Sequence, residues 1–214
     1  MDADSATSMR KQTQILNQFK SGRANILLGT QMIAKGLDFD NITLVIVVNA
    51  DLGALIPDFK SHEKMFQLIY QVIGRAGRSR KKSKAVIQSY QPDSQMIQMA
   101  TNYELKKFYN LQLKNREDLG YPPFKRLIRI IFSSSNLNAC QNAAIKIFNL
   151  LNKQLNQFLI GPLPCPIEKL SNKSRFHIII KAPHSKFQFI LKKINDVQNK
   201  KESLISKQVN MLID

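Results

Sequence analysis

After Thr43 the chain runs Leu44-Val45-Ile46-Val47-Val48 without a polar side chain, and this stretch limits the fold more than any other. A strand wetted on one face alternates apolar and polar residues. One that does not alternate has to be covered on both faces, as in a parallel sheet flanked by helices. The surroundings agree with that reading. Residues 8–20 place Ile15, Leu16 and Phe19 at helical spacing, and Gly22 supplies a stop. Asn25-Ile26-Leu27-Leu28-Gly29 predicts another buried strand, 61–73 a helix and 85–90 a further strand. Helices alternating with buried strands indicate an α/β sheet, yet about three strands are few for one. Residues 1–95 therefore read as a partial α/β domain.

The pattern changes near residue 95. Residues 94–117 are rich in polar side chains and predict one connecting helix, assigned to 96–118, which Gly120-Tyr121-Pro122-Pro123 stops. A strand at 124–132 and a helix at 137–158 follow. Gly161-Pro162-Leu163-Pro164 then reads as a turn region leading to a short strand near 166–170. A strand at 175–181, a helix at 185–197 and a strand at 208–213 complete residues 119–214. That order, β-α-β-β-α-β, is the ferredoxin-like one, an α+β arrangement of one antiparallel sheet with two helices on one face.

Charge points to an anionic partner. The 214 residues hold 32 Lys+Arg against 15 Asp+Glu, a formal charge of +17. Residues 1–95 contain 13 basic and 8 acidic side chains, whereas 96–214 contain 19 and 7. Nucleic acid is the first candidate for such an excess, although a Lys-rich composition also occurs as a general residue bias. Lys106, Lys107, Lys125, Arg126, Arg129, Lys192 and Lys193 would form the basic surface. Cys140 and Cys165 make no disulfide framework and match no zinc spacing, and His62, His177 and His184 are scattered, so no metal site is expected. No apolar run reaches the roughly 18 residues of a membrane span, and Met1-Asp2-Ala3-Asp4 is acidic where a signal peptide would be basic. The expectation is a cytoplasmic protein with no membrane contact.

Two stretches carry chemistry. In Gly29-Thr30-Gln31-Met32-Ile33-Ala34-Lys35-Gly36-Leu37-Asp38-Phe39, Gly36 allows close backbone approach and Asp38 suits a ribose hydroxyl. Thr30 and Lys35 suit phosphates. The same residues also suit an ordinary Gly-punctuated strand–helix loop. The second stretch is Gln71-Val72-Ile73-Gly74-Arg75-Ala76-Gly77-Arg78, which presents two guanidinium forks with a glycine ahead of each. Fixed forks of this kind meet the charge that develops on a transferred phosphoryl group.

These stretches resemble motifs V and VI of superfamily 2 helicases, found in the second RecA-like lobe. Asn49-Ala50-Asp51-Leu52-Gly53, Leu55-Ile56-Pro57-Asp58-Phe59-Lys60 and Glu63-Lys64 narrow the likeness. So do Leu119-Gly120-Tyr121-Pro122-Pro123-Phe124 and Ile160-Gly161-Pro162. Together they resemble the PriA replication-restart helicases, also called primosomal protein N-prime, along essentially the whole chain. The resemblance implies a partial RecA-like lobe followed by an S10-like, ferredoxin-type terminal domain. It implies Arg75 and Arg78 as fingers for the ATP γ-phosphate, with Gln71 as companion and Gly36, Asp38 and Gly74 beside the nucleotide. Thr30 and Lys35 would lie nearer the DNA strand. Arg175-Phe176-His177 stands where the family often shows Arg-Trp-Gln, which makes Arg175 and Phe176 DNA-contacting candidates. Phe retains a stacking face but loses the indole donor. Lys60 and Lys64 stand where Arg is usual, keeping charge but not the fork.

The sequence contains no G-x-x-x-x-G-K-[ST] loop, no Walker B box and none of the family's zinc cysteines. ATP with Mg²⁺ is therefore expected only where a complementing first lobe is supplied, for instance by a separately encoded N-terminal fragment. The leading expectation is the C-terminal part of an ATP-dependent 3′–5′ DNA helicase of primosome assembly, inactive as an ATPase alone. The other is a stand-alone module for forked or single-stranded DNA, or for single-strand-binding protein and other primosome proteins. A decayed gene remnant is a further alternative.

Overall fold

The computed structural model describes residues 9–30, 42–53, 58–76 and 83–214. It is a mixed helix-and-sheet protein that divides into two compact units, residues 1–110 and 111–214.

In the first unit, helix α1 spans Met9–Lys20 and ends before Gly22, whose φ of +73° is the left-handed stop expected of it. Strand β1 (Leu44–Val47) pairs in parallel with β2 (Lys84–Ile87), from Leu44↔Lys84 to Val47↔Ile87. A parallel pair requires a crossover, and helix α2 (Ser61–Ala76) lies within it, packing against both strands. Residues 25–29 form no strand, contrary to expectation, and Ile26 and Leu28 are exposed. An apolar run becomes a strand only where a neighbouring strand takes up its backbone groups, and among the described residues this sheet has two strands.

The single connecting helix expected over 94–117 is two helices, α3 (Gln95–Thr101) and α4 (Leu105–Asp118). Ser94 caps α3, its hydroxyl accepting from the Ile97 N–H at 3.4 Å. The break falls at Tyr103, with φ +58°. Packing explains it. α3 buries Ile97, Met99 and Ala100, while Phe108 of α4 stacks on Phe66 of α2 with centroids 3.8 Å apart. Tertiary burial overrides the helical propensity of the polar residues between. The division between the units falls within α4.

The second unit contains β3 (Lys125–Ser134), α5 (Leu137–Leu155), β4 (Leu159–Leu170), β5 (Lys173–Pro183), α6 (Phe187–Asn199), a one-turn α7 (Lys201–Leu204) and β6 (Asn210–Ile213). The sheet order is β4-β5-β3-β6, with every neighbouring pair antiparallel. Ile128, Ile130 and Phe132 of β3 point the same way as Ile178, Ile180 and Ala182 of β5. They meet Ala143, Ala144, Ile147 and Leu151 of α5 and Ile190 and Ile194 of α6 in one core.

Residues 161–164, expected as a turn, lie inside β4. Its prolines interrupt the register twice, between Ile160 and Leu163 and between Pro164 and Lys169. An edge strand tolerates prolines because the missing N–H groups cost no interior ladder bond. At Gly161, φ is +113°, and a Cβ there would lie 2.9 Å from the His177 carbonyl oxygen. Gly161→Ala should therefore cost about 2 kcal/mol or more in urea unfolding. Gly74→Ala, in α2 with nothing within 4 Å of the added Cβ, should stabilise by about 0.5–1 kcal/mol. Equal effects at the two positions would contradict this assignment of strain.

Candidate nucleotide and nucleic-acid sites

The carboxyl ends of parallel strands are where α/β sheets place ligand-binding groups, and in the first unit this region is tightly tied. Asp51, just beyond β1, accepts from the Ser89 hydroxyl at 2.7 Å and the Tyr90 N–H at 2.8 Å, joining the chain after β1 to the chain after β2. The Asn49 side-chain oxygen accepts from the Asp51 N–H at 3.0 Å. The Ser89 hydroxyl, followed by the Tyr90 N–H, holds the Asp51 carboxyl below the ordinary carboxylate range. Asn49-Ala50-Asp51 thus plays a structural part, fixing the strand ends.

Helix α2 begins on a second carboxylate. Asp58 accepts from the Lys60 N–H at 3.0 Å and from the Lys64 ammonium at 2.8 Å. Burial pushes the Asp58 carboxyl up, but these bonds and the two lysine charges outweigh it and the net direction is down. Lys64 is thereby held by Asp58, and the Lys60 ammonium lies 5.4 Å over the Phe59 ring. At the far end of α2, Gln71 is exposed and Gly74 is half-buried, with open space where a side chain would stand. Arg75 lies in the same last turns of the helix. Thr30 is exposed. Lys35, Gly36, Asp38 and Arg78 lie outside the described residues. The structure thus brings Gln71, Gly74 and Arg75 onto one helix end, with open space where a side chain at Gly74 would stand.

The second region is the sheet face opposite α5 and α6. Alternation along β5 turns Arg175, His177, Ile179 and Lys181 to this face, and β3 contributes Arg129, Ile131 and Ser133. Arg175 is half-buried there. Phe176, its neighbour, points the other way and packs against the core, so its ring is occupied by apolar neighbours. The two residues of the Arg-Phe pair are on opposite faces. His177, which stands isolated in the sequence, belongs to this face. It is 6% exposed, and its Nδ1 has no hydrogen-bond partner among the described residues. Burial, then the charges of Arg129 and Arg175, push its pKa down. The same two arginines pull down the Cys165 thiol, which burial raises. A signal for this cluster was present in the sequence as the period-two placement of Arg175 and His177, legible only once the register was known.

Several expected basic contacts are already engaged. Arg129 Nη2 pairs with the Asp214 carboxylate at 2.7 Å, Lys107 with Glu104 at 3.0 Å, and the Arg126 guanidinium lies 4.2 Å over the Phe187 ring. Among the described residues no cluster of three His, Cys, Asp or Glu is placed to hold a metal ion, and no helix is long and apolar enough to cross a membrane.

Residues 2–80 match the Helicase conserved C-terminal domain and residues 117–214 the Primosomal protein N C-terminal domain. The two matches in tandem, with full-length similarity to one relative, decide the family. The chain belongs to the PriA family. Replication restart protein PriA of Bacillus subtilis is 37% identical over 217 residues, covering 100% of this chain and 27% of the relative. PriA of Chlamydia pneumoniae is 38% identical over 186 residues, 86% of this chain and 25% of the relative. PriA of Treponema pallidum is 37% identical over 185 residues, 86% and 28%. The chain therefore spans about a quarter of the length of these PriA relatives and corresponds to a C-terminal portion.

His177 makes stability depend on pH. Its folded pKa is depressed, so below the unfolded value of about 6.5 the unfolded chain binds a proton that the folded one does not. Stability should then fall as pH drops from about 7.5 to about 5.5. His177→Leu should flatten that fall in urea titrations at the two pH values, and an unchanged slope would count against it.

Proposed function

We propose that this chain is the C-terminal part of an ATP-dependent 3′–5′ DNA helicase that acts in primosome assembly and restart of stalled forks. The observation that carries this is the order of the two matched domains, a helicase C-terminal domain followed by the terminal domain of primosomal protein N. In this reading the second unit is ferredoxin-like, and its β-α-β-β-α-β order supports the name. A cytoplasmic location goes with it.

Arg75 and Arg78 serve as fingers for the ATP γ-phosphate, Gln71 aligns them, and Gly36, Asp38 and Gly74 approach the nucleotide. ATP with Mg²⁺, held chiefly by a first lobe, would supply the phosphoryl group whose hydrolysis drives movement. The role of this chain's residues is to meet negative charge from the opposite side. The accessible end of α2, with Gln71 exposed and no steric obstacle beside Gly74, supports that role. Thr30 and Lys35 take the DNA strand within the lobe. Arg175 of the terminal sheet takes backbone phosphates of forked or single-stranded DNA, its guanidinium fork being suited to such contacts. Single-strand-binding protein and other primosome proteins are the further partners.

These 214 residues carry no phosphate loop, so ATP hydrolysis by them requires a first lobe to be supplied. The purified chain with forked DNA should show no turnover. Adding the N-terminal portion of the Bacillus subtilis relative should restore it, and Arg75→Ala should abolish the restored activity. Turnover by the chain alone, lost in Arg75→Ala, would refute the need for a first lobe. Binding of forked DNA should weaken more than about ten-fold between about 50 and about 200 mM salt if three or more phosphates are contacted. Arg175→Ala should reduce both the affinity and the salt slope. Salt-insensitive binding would remove the terminal sheet from this role.

A further inference from the structure

The ring contacts of the first unit run from its core to its surface at two places. Phe66 and Phe108 are buried and stacked, 3.8 Å apart and 8° from parallel. From Phe66 the contacts continue to Tyr70 at 5.8 Å, and Tyr70 meets Tyr103 edge-on at 5.3 Å. From Phe108 they continue to Tyr109 at 5.7 Å. Tyr103 and Tyr109 remain 48% and 43% exposed. Both line one shallow depression of about 680 Å³, together with Glu104, Lys106, Lys107 and Asn110.

Tyr103 stands in the left-handed backbone region, φ +58°, a strained position for an aromatic residue. It is held there by its own N–H donating to Ala100 O at 3.3 Å and the Glu104 N–H donating to Met99 O at 2.8 Å. The helix break alone would be met with less strain by glycine or asparagine. What tyrosine adds is a ring, fixed by Tyr70 on its edge and open to water elsewhere. Lys107 is paired with Glu104, whereas Lys106 has no ion pair among the described residues. Two pre-positioned rings, Tyr109 against buried Phe108 and Tyr103 against half-buried Tyr70, with two ammonium groups close in sequence, match unpaired bases on a phosphate backbone. A duplex hides its base faces, and an acidic peptide would use the lysines but leave both rings idle.

We propose that this depression binds single-stranded nucleic acid, Tyr103 and Tyr109 stacking on bases while Lys106 and Lys107 meet phosphates. It is built from residues of the first unit, whereas Arg129 and Arg175 belong to the second, and it is independent of ATP chemistry. The test uses the full 214-residue chain, a fluorescent oligothymidylate of about 15 nucleotides, and an abasic oligonucleotide of the same length and charge. Tyr103→Gly and Tyr109→Ala should each weaken oligothymidylate binding by at least about five-fold and leave abasic binding unchanged. Tyr103→Phe should bind as the parent does. Tyr103→Gly removes the ring while relaxing the backbone, so retained urea stability separates lost stacking from lost folding. Replacing Lys106 and Lys107 together by alanine should lower the salt slope by about 1.4. Unchanged oligothymidylate affinity in both tyrosine variants, equal losses on the two oligonucleotides, or no binding by the parent chain would each overturn the proposal. None of these results bears on the complemented ATPase, which is read separately.

Discussion

The ten-pair ladder between β3 and β5, from Lys125↔Pro183 to Ser134↔Ser174, is the constraint on which the terminal unit depends. Strand side chains alternate, so a register error of one residue would exchange the two faces completely. In the observed register Ile128 and Ile130 of β3 and Ile178 and Ile180 of β5 meet α5 and α6. Arg129, Arg175 and His177 are put together on the other side by the same choice. Core and basic face are therefore one decision. The apolar side supplies the energy that holds the arginines near each other despite like charge, and His177 beside them has its pKa depressed first by burial and then by their charges.

The first unit depends on a different kind of joint. β1 and β2 are short, four residues each, and a ladder of that length needs support. Asp51 provides it at the strand ends, and the Phe66–Phe108 stack ties α2 to α4. The helix that ends in Gln71, Gly74 and Arg75 is thus anchored on its buried side, by Phe66, Ile69 and Val72 among others. A rigid base suits the finger role proposed for Arg75, since electrostatic stabilisation of a transition state depends on donors that need not reorganise.

Much of this was legible in the sequence, and the exceptions have physical causes. The unbroken run at 44–48 indicated a strand of a parallel pair, which β1 is, but not burial on both faces, since Leu44, Ile46 and Val48 are exposed where the described sheet has no further cover. The β-α-β-β-α-β order of the second half followed from periodicity and turn residues. Residues 25–29 misled because an apolar run cannot reveal whether a neighbouring strand exists. The helix break at Tyr103 was hidden because it is set by Phe108 reaching Phe66, a contact between residues far apart in sequence. Gly161 to Pro164 looked like a turn because prolines usually leave a sheet, and only the edge position of β4 reconciles them with a strand. At the candidate sites, residue types were readable while directions were not. Arg175 and Phe176 are adjacent letters that face opposite ways.

The prolines of β4 have a consequence for the protein in a crowded solution. Pro162, Pro164 and Pro166 stand at alternate positions on an outermost strand, so successive donors that another chain would need to add itself there are absent. Two breaks in register bend the same margin out of a flat template. At the opposite margin β6 is only four residues long. The terminal sheet thus has two borders that discourage growth by strand addition, which favours meeting partners through faces and loops.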